Sequence, residues 1–362
     1  MRKKNIHLMI LVFAILTVGC KESITNNMAF KQVDFVKKFP KSVTLKERTF
    51  VDIDVIGIRN FAIHDSLLIF STIDDDGLWS FVSLNDYSIL GNFLTIGEGP
   101  FQFLQPPSIA TKGTLHTYDS LYAYIYDSQR GRLLKMNIDK SINDKALSIS
   151  IVTDSIPPFL FNSVVIDSSQ YLFKEASPDL TQQLRYLYHR NEKKTSEVLN
   201  VLNSAKIEMN EDINILSTIT KAHNKNGKIV EMPIGLNHLN IYSLDGIFKK
   251  TVSVESKLND INKIQQKSLG DRLYTFADLR LFDNYFGTLH INEKESIYQT
   301  NREKKPRILF FDYDGKPLIE INLEHHITSF DFDLNRGEMY TFDVHSDELY
   351  KYDIRQILQE LR

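Results

Sequence analysis

The sequence predicts an all-β protein in which four-stranded antiparallel sheets repeat and close into a ring, a β-propeller. Three observations carry that prediction. The first is the stretch Ser329 to Ile354, SFDFDLNRGEMYTFDVHSDELYKYDI, which reads as three short strands. Phe330, Phe332 and Leu334 alternate with Asp331 and Asp333, Tyr340, Phe342 and Val344 with Thr341 and Asp343, and Tyr350, Tyr352 and Ile354 with Lys351 and Asp353. A period of two in aromatic and β-branched residues marks half-buried strands. The second is the recurrence of Gly-containing turns at Asn226-Gly227, Asp245-Gly246, Asp314-Gly315 and Arg336-Gly337. They form two pairs at about 20 residues per hairpin, hence about 40 per four-stranded unit, within the propeller range. The third is composition: 23 Phe and 16 Tyr in 362 residues, with 42% hydrophobic content, suit strands around a sizeable core.

The first 20 residues read as an export signal rather than fold material. Arg2, Lys3 and Lys4 precede the apolar run Ile6 to Gly19, which is broken only by His7 and Thr17. That run falls short of the roughly 20 residues a spanning helix needs. A positive head, a short apolar core and a small residue before a cut site describe a secretory signal. The only cysteine, Cys20, follows Thr17-Val18-Gly19, and the arrangement resembles a bacterial lipobox, with Leu16 one place further upstream than usual. The expectation is a signal peptide over 1–19, a lipidated Cys20 with a tether over 20–40, and a propeller over 41–362. An ordinary signal or an uncleaved anchor is the plainer alternative. Cleavage takes the formal charge from −3 to −6 by removing three basic residues, and neither value offers nucleic acid a basic footprint.

Strand signals begin near Lys41. Thr49 to Ile58 alternates, with Phe50, Ile53 and Val55 as burial candidates, and Asn60–Phe70, Leu78–Leu84 and Ser88–Leu94 follow as strands. Asp74-Asp75-Asp76-Gly77 reads as a turn, because no oxygen ligands follow at calcium-loop spacing. Thr95 to Ala110, TIGEGPFQFLQPPSIA, lacks the third Gly and the helix of a dinucleotide site. Lys112-Gly113 is expected to turn. Leu121–Tyr126 and Arg132–Ile138 pair around Asp127, which is expected to bond the turn backbone. Over 159–215 the pattern weakens: Val164–Ile166 and Tyr171–Phe173 suit strands, Leu184–His189 and Thr195–Leu202 suit a hairpin, and Asn203–Asn214 reads as a loop or short helix. Lys228–Met232, Leu239–Ser243, Ile247–Val254, Leu273–Leu281, Tyr285–His290, Ile308–Tyr313 and Pro317–Leu323 complete the strands.

The stretch around Gly97, Gly99, Pro100, Gln102, Phe103 and Pro106 resembles the blade-to-blade connection of NHL-type and TolB-like six-bladed propellers, with Phe101 where the pattern has Gly. Together with YSLDGIFKK, FFDYDGKPL and the final repeat, it makes the chain similar to the TolB-like propeller lipoproteins of Bacteroidota-type bacteria. The resemblance implies six blades, although seven would divide the body more evenly. It also implies a place in the cell envelope, at the outer membrane, and says hardly anything about activity. A single Trp (Trp79) and no Trp-Asp pair exclude the WD40 type. The last repeat needs a fourth strand, which the ring would take from Val43 to Asp54, removing its free edges. Ile354, Ile357, Leu358 and Leu361 then recur as one apolar face of a short C-terminal helix.

Chemistry is sparsely signalled. There is no Gly-x-Ser-x-Gly, His-Glu-x-x-His, cysteine cluster or phosphate loop, so no catalytic, metal or cofactor residue is nominated. His325-His326 would point to opposite faces of a strand and read as surface residues. Asp119, Asp127, Asp312, Asp314, Asp343 and Asp353 recur at strand ends. They read as turn caps, with an acid pair in the channel as the alternative. Tyr122, Tyr124, Tyr350 and Tyr352 would pack between blades or stack on sugars. The favoured expectation is a membrane-anchored, non-catalytic binding or scaffold module presenting loops at one end of the ring to a protein, glycan or small ligand. An envelope hydrolase or lyase at the channel mouth, and an accessory subunit of an envelope complex, are the alternatives.

Overall fold

The computed structural model describes residues 26–361 apart from 76, 110–112, 159, 168, 190–191 and 224. The expected signal, Cys20 and the Lys112 turn position lie outside that set. An N-terminal arm carries β1 (Val33–Phe35), β2 (Lys41–Leu45) and β3 (Thr49–Phe50). Blade 1 is β4 (Ile58–His64), β5 (Leu67–Thr72), β6 (Trp79–Ser83) and β7 (Ile89–Phe93). Blade 2 is β8 (Gly113–Thr117), β9 (Leu121–Asp127), β10 (Arg132–Asn137) and β11 (Ile149–Thr153), with α1 (Ile138–Asp144) before the last. Blade 3 is β12 (Asn162–Val165), β13 (Gln170–Ala176), β14 (Gln183–His189) and β15 (Glu192–Lys194), followed by α2 (Glu197–Asn203). Blade 4 is β16 (Thr218–His223), β17 (Lys228–Pro233), β18 (His238–Ser243) and β19 (Lys249–Ser253), followed by α3 (Ile261–Ile264). Blade 5 is β20 (Leu273–Leu281), β21 (Tyr285–Lys294), β22 (Arg307–Asp312) and β23 (Pro317–Leu323), with α4 (Glu295–Thr300) inserted after β21. Blade 6 is β24 (Ser329–Asp333), β25 (Glu338–Asp343) and β26 (Glu348–Asp353), and α5 (Arg355–Leu361) ends the fold.

The ring therefore has six antiparallel blades, as the resemblance implied. Its core is divided among the blade interfaces, because each sheet has two apolar faces to cover. Six hydrophobic clusters fill the six gaps between neighbouring blades. Every blade turns from its innermost to its second strand at one end of the ring, here the mouth end. The links from one blade to the next run across the other, the connector end. The turn glycines Gly227, Gly246, Gly315 and Gly337 all take positive φ, between 66° and 81°, which side chains with a Cβ rarely adopt. Helix α5 buries Ile357, Leu358 and Leu361 in the cluster between blades 5 and 6.

Closure differs from expectation in detail. Only Thr49 and Phe50 pair with blade 6, opposite Lys351 and Tyr350, and Val51 adds one more backbone bond to Leu349 at 2.9 Å. Lys41–Leu45 instead runs parallel to β23 in blade 5, and Val33–Phe35 runs parallel to β19 in blade 4. Among the described residues the packed body already includes Met28, Phe30, Val36 and Phe39, all buried and ahead of Lys41. Phe50 is 54% exposed and lies edge-on to Tyr350 at 5.7 Å, so Val51 takes the burial expected of it.

Two further readings are corrected. Asn60–Phe70 is two strands, because Asp65 takes φ 51° and turns the chain with no glycine present. Thr195–Leu202 is not a strand: Ser196 caps α2 by accepting from the Leu199 N–H, and Val198, Leu199 and Leu202 bury one helical face.

Candidate functional site

The innermost strands β4, β8, β12, β16, β20 and β24 surround a central channel holding a cavity of about 990 Å³. At the mouth end its lining includes His64, Asp65, Tyr118, Asp167, Asp283 and Asn335; deeper in lie His116, Thr220, Lys221, Arg280 and Asp331.

The deep polar group is built on alternation within buried strands. Asp278 and Arg280, two apart on β20, share one side of the strand, and Asp331 on β24 faces them. Arg280 Nε donates to Asp278 Oδ2 at 3.0 Å, one terminal nitrogen to Asp331 Oδ2 at 3.1 Å, and the other to the Phe61 carbonyl at 2.8 Å. The Ile63 N–H donates to Asp331 Oδ2 at 2.9 Å, the Phe332 N–H to Asp331 Oδ1 at 2.9 Å and the Phe330 N–H to Asp278 Oδ2 at 3.2 Å. Blades 5, 6 and 1 are thereby tied together where the first and last blades meet. Burial pushes the Asp331 carboxyl up despite Arg280, while Asp278 and Asp331 outweigh burial and hold the guanidinium above its ordinary value.

Lys221 is the exception. It lines the same cavity half-buried, and its ammonium has no hydrogen-bond or ion-pair partner among the described residues. Burial first, and then the Arg280 charge, push it down to about 8. Near the mouth, Tyr118 is 55% exposed and stacks on His116 at 6.0 Å with the rings 9° apart. His64 Nε2 lies 2.8 Å from Thr117 Oγ1. Burial, followed by Lys135, lowers the His116 pKa.

Residues singled out from the sequence fall elsewhere. None of Asp119, Asp127, Asp312, Asp314, Asp343 and Asp353 lines the channel cavity. Asp312 accepts from the Asp314 and Lys316 N–H groups, Asp343 from His345 and Asp353 from Arg355, as turn caps do. Asp119 accepts from the Tyr122 hydroxyl, and Asp314 pairs with Lys228. Asp127 does not serve its turn backbone; it is buried and receives Arg132 Nε at 2.9 Å. Arg132 and Arg130 in turn donate to the carbonyls of Pro100, Gln102 and Gly97. That clamp holds the connection between blades 1 and 2. Phe103 is buried among residues of both blades, and Gln102 Oε1 accepts the Gly99 N–H at 2.9 Å. Gly97 takes φ 153°, which residues with a Cβ rarely adopt, and a Cβ there would also meet Gln102 Oε1 at 2.2 Å. Pro106 is exposed, and the neighbouring Pro107 carbonyl accepts from Trp79 Nε1 at 2.7 Å.

His325 and His326 sit in the link before β24 rather than on a strand, and neither is an open surface residue. Tyr352 and the His325 ring are stacked at 5.9 Å, while His326 Nδ1 lies 3.3 Å from Asp343. Tyr124 and Tyr352 are buried, Lys135 Nζ sits 3.8 Å over the Tyr122 ring, and Arg48 covers Tyr350 at the same distance. Among the described residues no three His, Cys, Asp or Glu side chains group to hold a metal ion. Sequence reasoning missed Asp278, Arg280 and Lys221. For Asp278 and Arg280 the signal was charge inside a largely apolar strand, LYTFADLRL; Lys221 in TITKAH carried none.

Fold and site define a six-bladed β-propeller with a polar cavity at one end of its channel. No protein-family profile and no curated protein matches the chain. Among solved structures it is similar to a member of the DUF4221 family from Bacteroides vulgatus, at 13% identity and TM-score 0.51, over 85% of this chain and 96% of that one. A Bacteroides fragilis protein described as exported aligns at 11% identity and TM-score 0.48, over 88% and 99%. Hydrazine synthase of Kuenenia stuttgartiensis aligns at 12% identity and TM-score 0.47, over 87% and 81%. At these identities the likeness is one of fold alone.

Proposed function

We propose that the protein is a TolB-like propeller lipoprotein of the cell envelope, held in the outer membrane through Cys20, that binds a small polar ligand or a glycan at the channel mouth without transforming it. The observation that carries the binding role is the state of the channel's charged groups. All three Arg280 nitrogens are engaged, and Asp278 and Asp331 each accept from Arg280 and from backbone N–H groups. An acid–base pair needs a group able to exchange its proton with substrate, and this carboxylate pair is committed to the fold. Tyr118 and His64 remain along the cavity as aromatic and hydrogen-bonding surface, the combination that small-ligand sites use.

The test is a thermal-shift screen of purified protein against sugars, amino acids and short glycans, repeated on Tyr118→Ala and Lys221→Met. A compound that stabilises the wild type but neither variant, and is recovered unchanged, supports the reading. Recovery of a product would favour an envelope hydrolase or lyase instead. Lys221, unpaired and shifted toward neutrality, is the group that would serve such chemistry as a base. Cys20→Ser should move the protein from the membrane fraction to the soluble one; retention would refute the anchor.

A further inference from the structure

The arm leaves the ring from only one of its two ends. Asn26 is held at the connector end: the Ile261 N–H donates to its carbonyl at 2.7 Å, and its side-chain amide donates to the Lys206 carbonyl. Both partners lie in links between blades. Only residues 21–25 separate Asn26 from Cys20, and a fully extended chain of that length reaches roughly 20 Å. A lipid on Cys20 would therefore keep the connector end beside the bilayer.

That end is also where isolated apolar side chains project. Ile56 is 80% exposed, Met209 68%, Leu180 60%, Leu269 58%, Ile73 51% and Phe101 37%, from links and hairpins of blades 1 to 5. Leu180 stands on a left-handed residue, φ 56°, at the tip of the β13–β14 turn. Carboxylates stand at both ends, Asp75, Glu98, Asp179 and Glu208 at the connector end and Asp65, Asp119, Asp167 and Asp283 at the mouth, where Tyr118, Ile247 and Leu334 are also exposed. The apolar tips are more numerous at the connector end, and such tips gain by entering the headgroup boundary.

We propose that the connector end is a lipid-contacting face, on which the ring stands with its channel mouth turned away from the membrane. This rests on lipidation of Cys20, and the experiment separates the two. Lipidated full-length protein is reconstituted in phosphatidylcholine vesicles. Its only native cysteine carries the lipid, so one added cysteine can be labelled alone with an environment-sensitive dye. Labels on Met209→Cys and Leu269→Cys at the connector end, and on Ile247→Cys and Leu334→Cys at the mouth end, are compared for quenching by spin-labelled lipids. The expected result is at least about twofold stronger quenching at the connector end, as for side chains at the acyl boundary. Adding Leu180→Ser, Met209→Ser and Ile73→Ser to the Leu269→Cys protein should reduce that quenching without loss of vesicle flotation. Equal quenching at the two ends in floating protein overturns the proposal alone. Protein that does not float overturns the anchor, and the proposal with it. In native membranes, connector-end labels shielded from a soluble quencher yet untouched by lipid would mean a protein partner covers that face, and would also overturn it.

Discussion

Removing Asp331 tests whether the channel network holds the ring shut. In Asp331→Ala the Arg280 guanidinium keeps Asp278 and the Phe61 carbonyl but loses one charged partner. The Ile63 and Phe332 N–H groups lose their acceptor as well. Breaking a buried pair by deleting one partner costs about 3–5 kcal/mol, and each buried N–H left without an acceptor costs about 1–3 kcal/mol. These terms overlap, so about 4 kcal/mol is the working figure for the variant. With a urea m-value of about 3 kcal/mol per M for a protein of this size, the midpoint should fall by more than 1 M. Asp331→Asn keeps an oxygen acceptor for the backbone and should lose less, about 2 kcal/mol, the worth of a charge-assisted bond. Unfolding is followed by the fluorescence of Trp79, which is fully buried between blades 1 and 2, and by circular dichroism. Arg355→Ala, which breaks an exposed pair with Asp353, is the control and should leave the midpoint unmoved. A loss below about 1 kcal/mol for Asp331→Ala would refute the claim that this triad ties blades 5, 6 and 1, since such a loss is normal for an uncoupled surface site.

Three further predictions concern the arm, acid and the free lysine. Phe30 is buried edge-on to Tyr242 at 5.8 Å, so Phe30→Ala should cost about 3–5 kcal/mol and expose the arm to limited proteolysis. Burial holds His238 at about 4, His290 at about 3 and His325 at about 4, against an ordinary 6.5. The unfolded chain binds protons first, so stability present above pH 6.5 is lost as pH falls toward 4, and melting temperature should fall steadily over that window. Glu231 extends the loss: burial raises its pKa, but Arg185 and Lys174 outweigh this and bring it to about 2 from 4.5, so its contribution disappears below pH 4.5. Lys221→Met should stabilise the protein by about 1–2 kcal/mol at pH 7 by removing an uncompensated charge. Because the folded pKa lies near 8 and the ordinary value is 10.5, that gain should shrink as pH rises from 8 to 10.5; a constant gain would mean that packing, not charge, is responsible.

What the sequence revealed followed the chemistry of its turns. Hairpins closed by glycine at 246, 315 and 337 were legible because a left-handed turn needs that residue. The turn at Asp65-Ser66 has no such mark, so two strands of blade 1 read as one. Thr195–Leu202 has β-branched residues that suit a strand, but Val198, Leu199, Val201 and Leu202 fall at helical spacing behind the Ser196 cap, and the chain forms a helix. The site was less legible still. Asp278, Arg280 and Asp331 meet only because the ring brings β20 and β24 side by side beside β4, and neighbours 51 positions apart leave no local pattern. Lys221 reads in sequence as an ordinary strand lysine; the channel around it is what makes it unusual. The arm was misread for a related reason. Met28 and Phe30 lie two apart, but the pair is too short a run to signal a strand, and their burial comes from contacts more than 200 residues away, with Met28 O accepting from Asn240 at 2.9 Å.

The shortness of β3 follows from how closure is distributed. A two-residue strand supplies few backbone bonds and would be a weak latch alone, because long-range pairing must first offset the entropy of closing a very large loop. Here the arm engages three successive blades before it reaches blade 1. It covers the outer edges of β19 and β23 with parallel strands and seats Met28 over buried His238 and Asn240. Each engagement shortens the free loop left for the next, so every later contact costs less ordering than it would alone. The Arg280 triad then acts from inside the channel on the seam that β3 touches from outside. Blade 6 to blade 1 is thus held at both its inner and outer radius, and neither hold lies at the mouth. The mouth turns add a third hold, since Arg336 in the β24–β25 turn donates to Asn85 Oδ1 in the β6–β7 turn of blade 1.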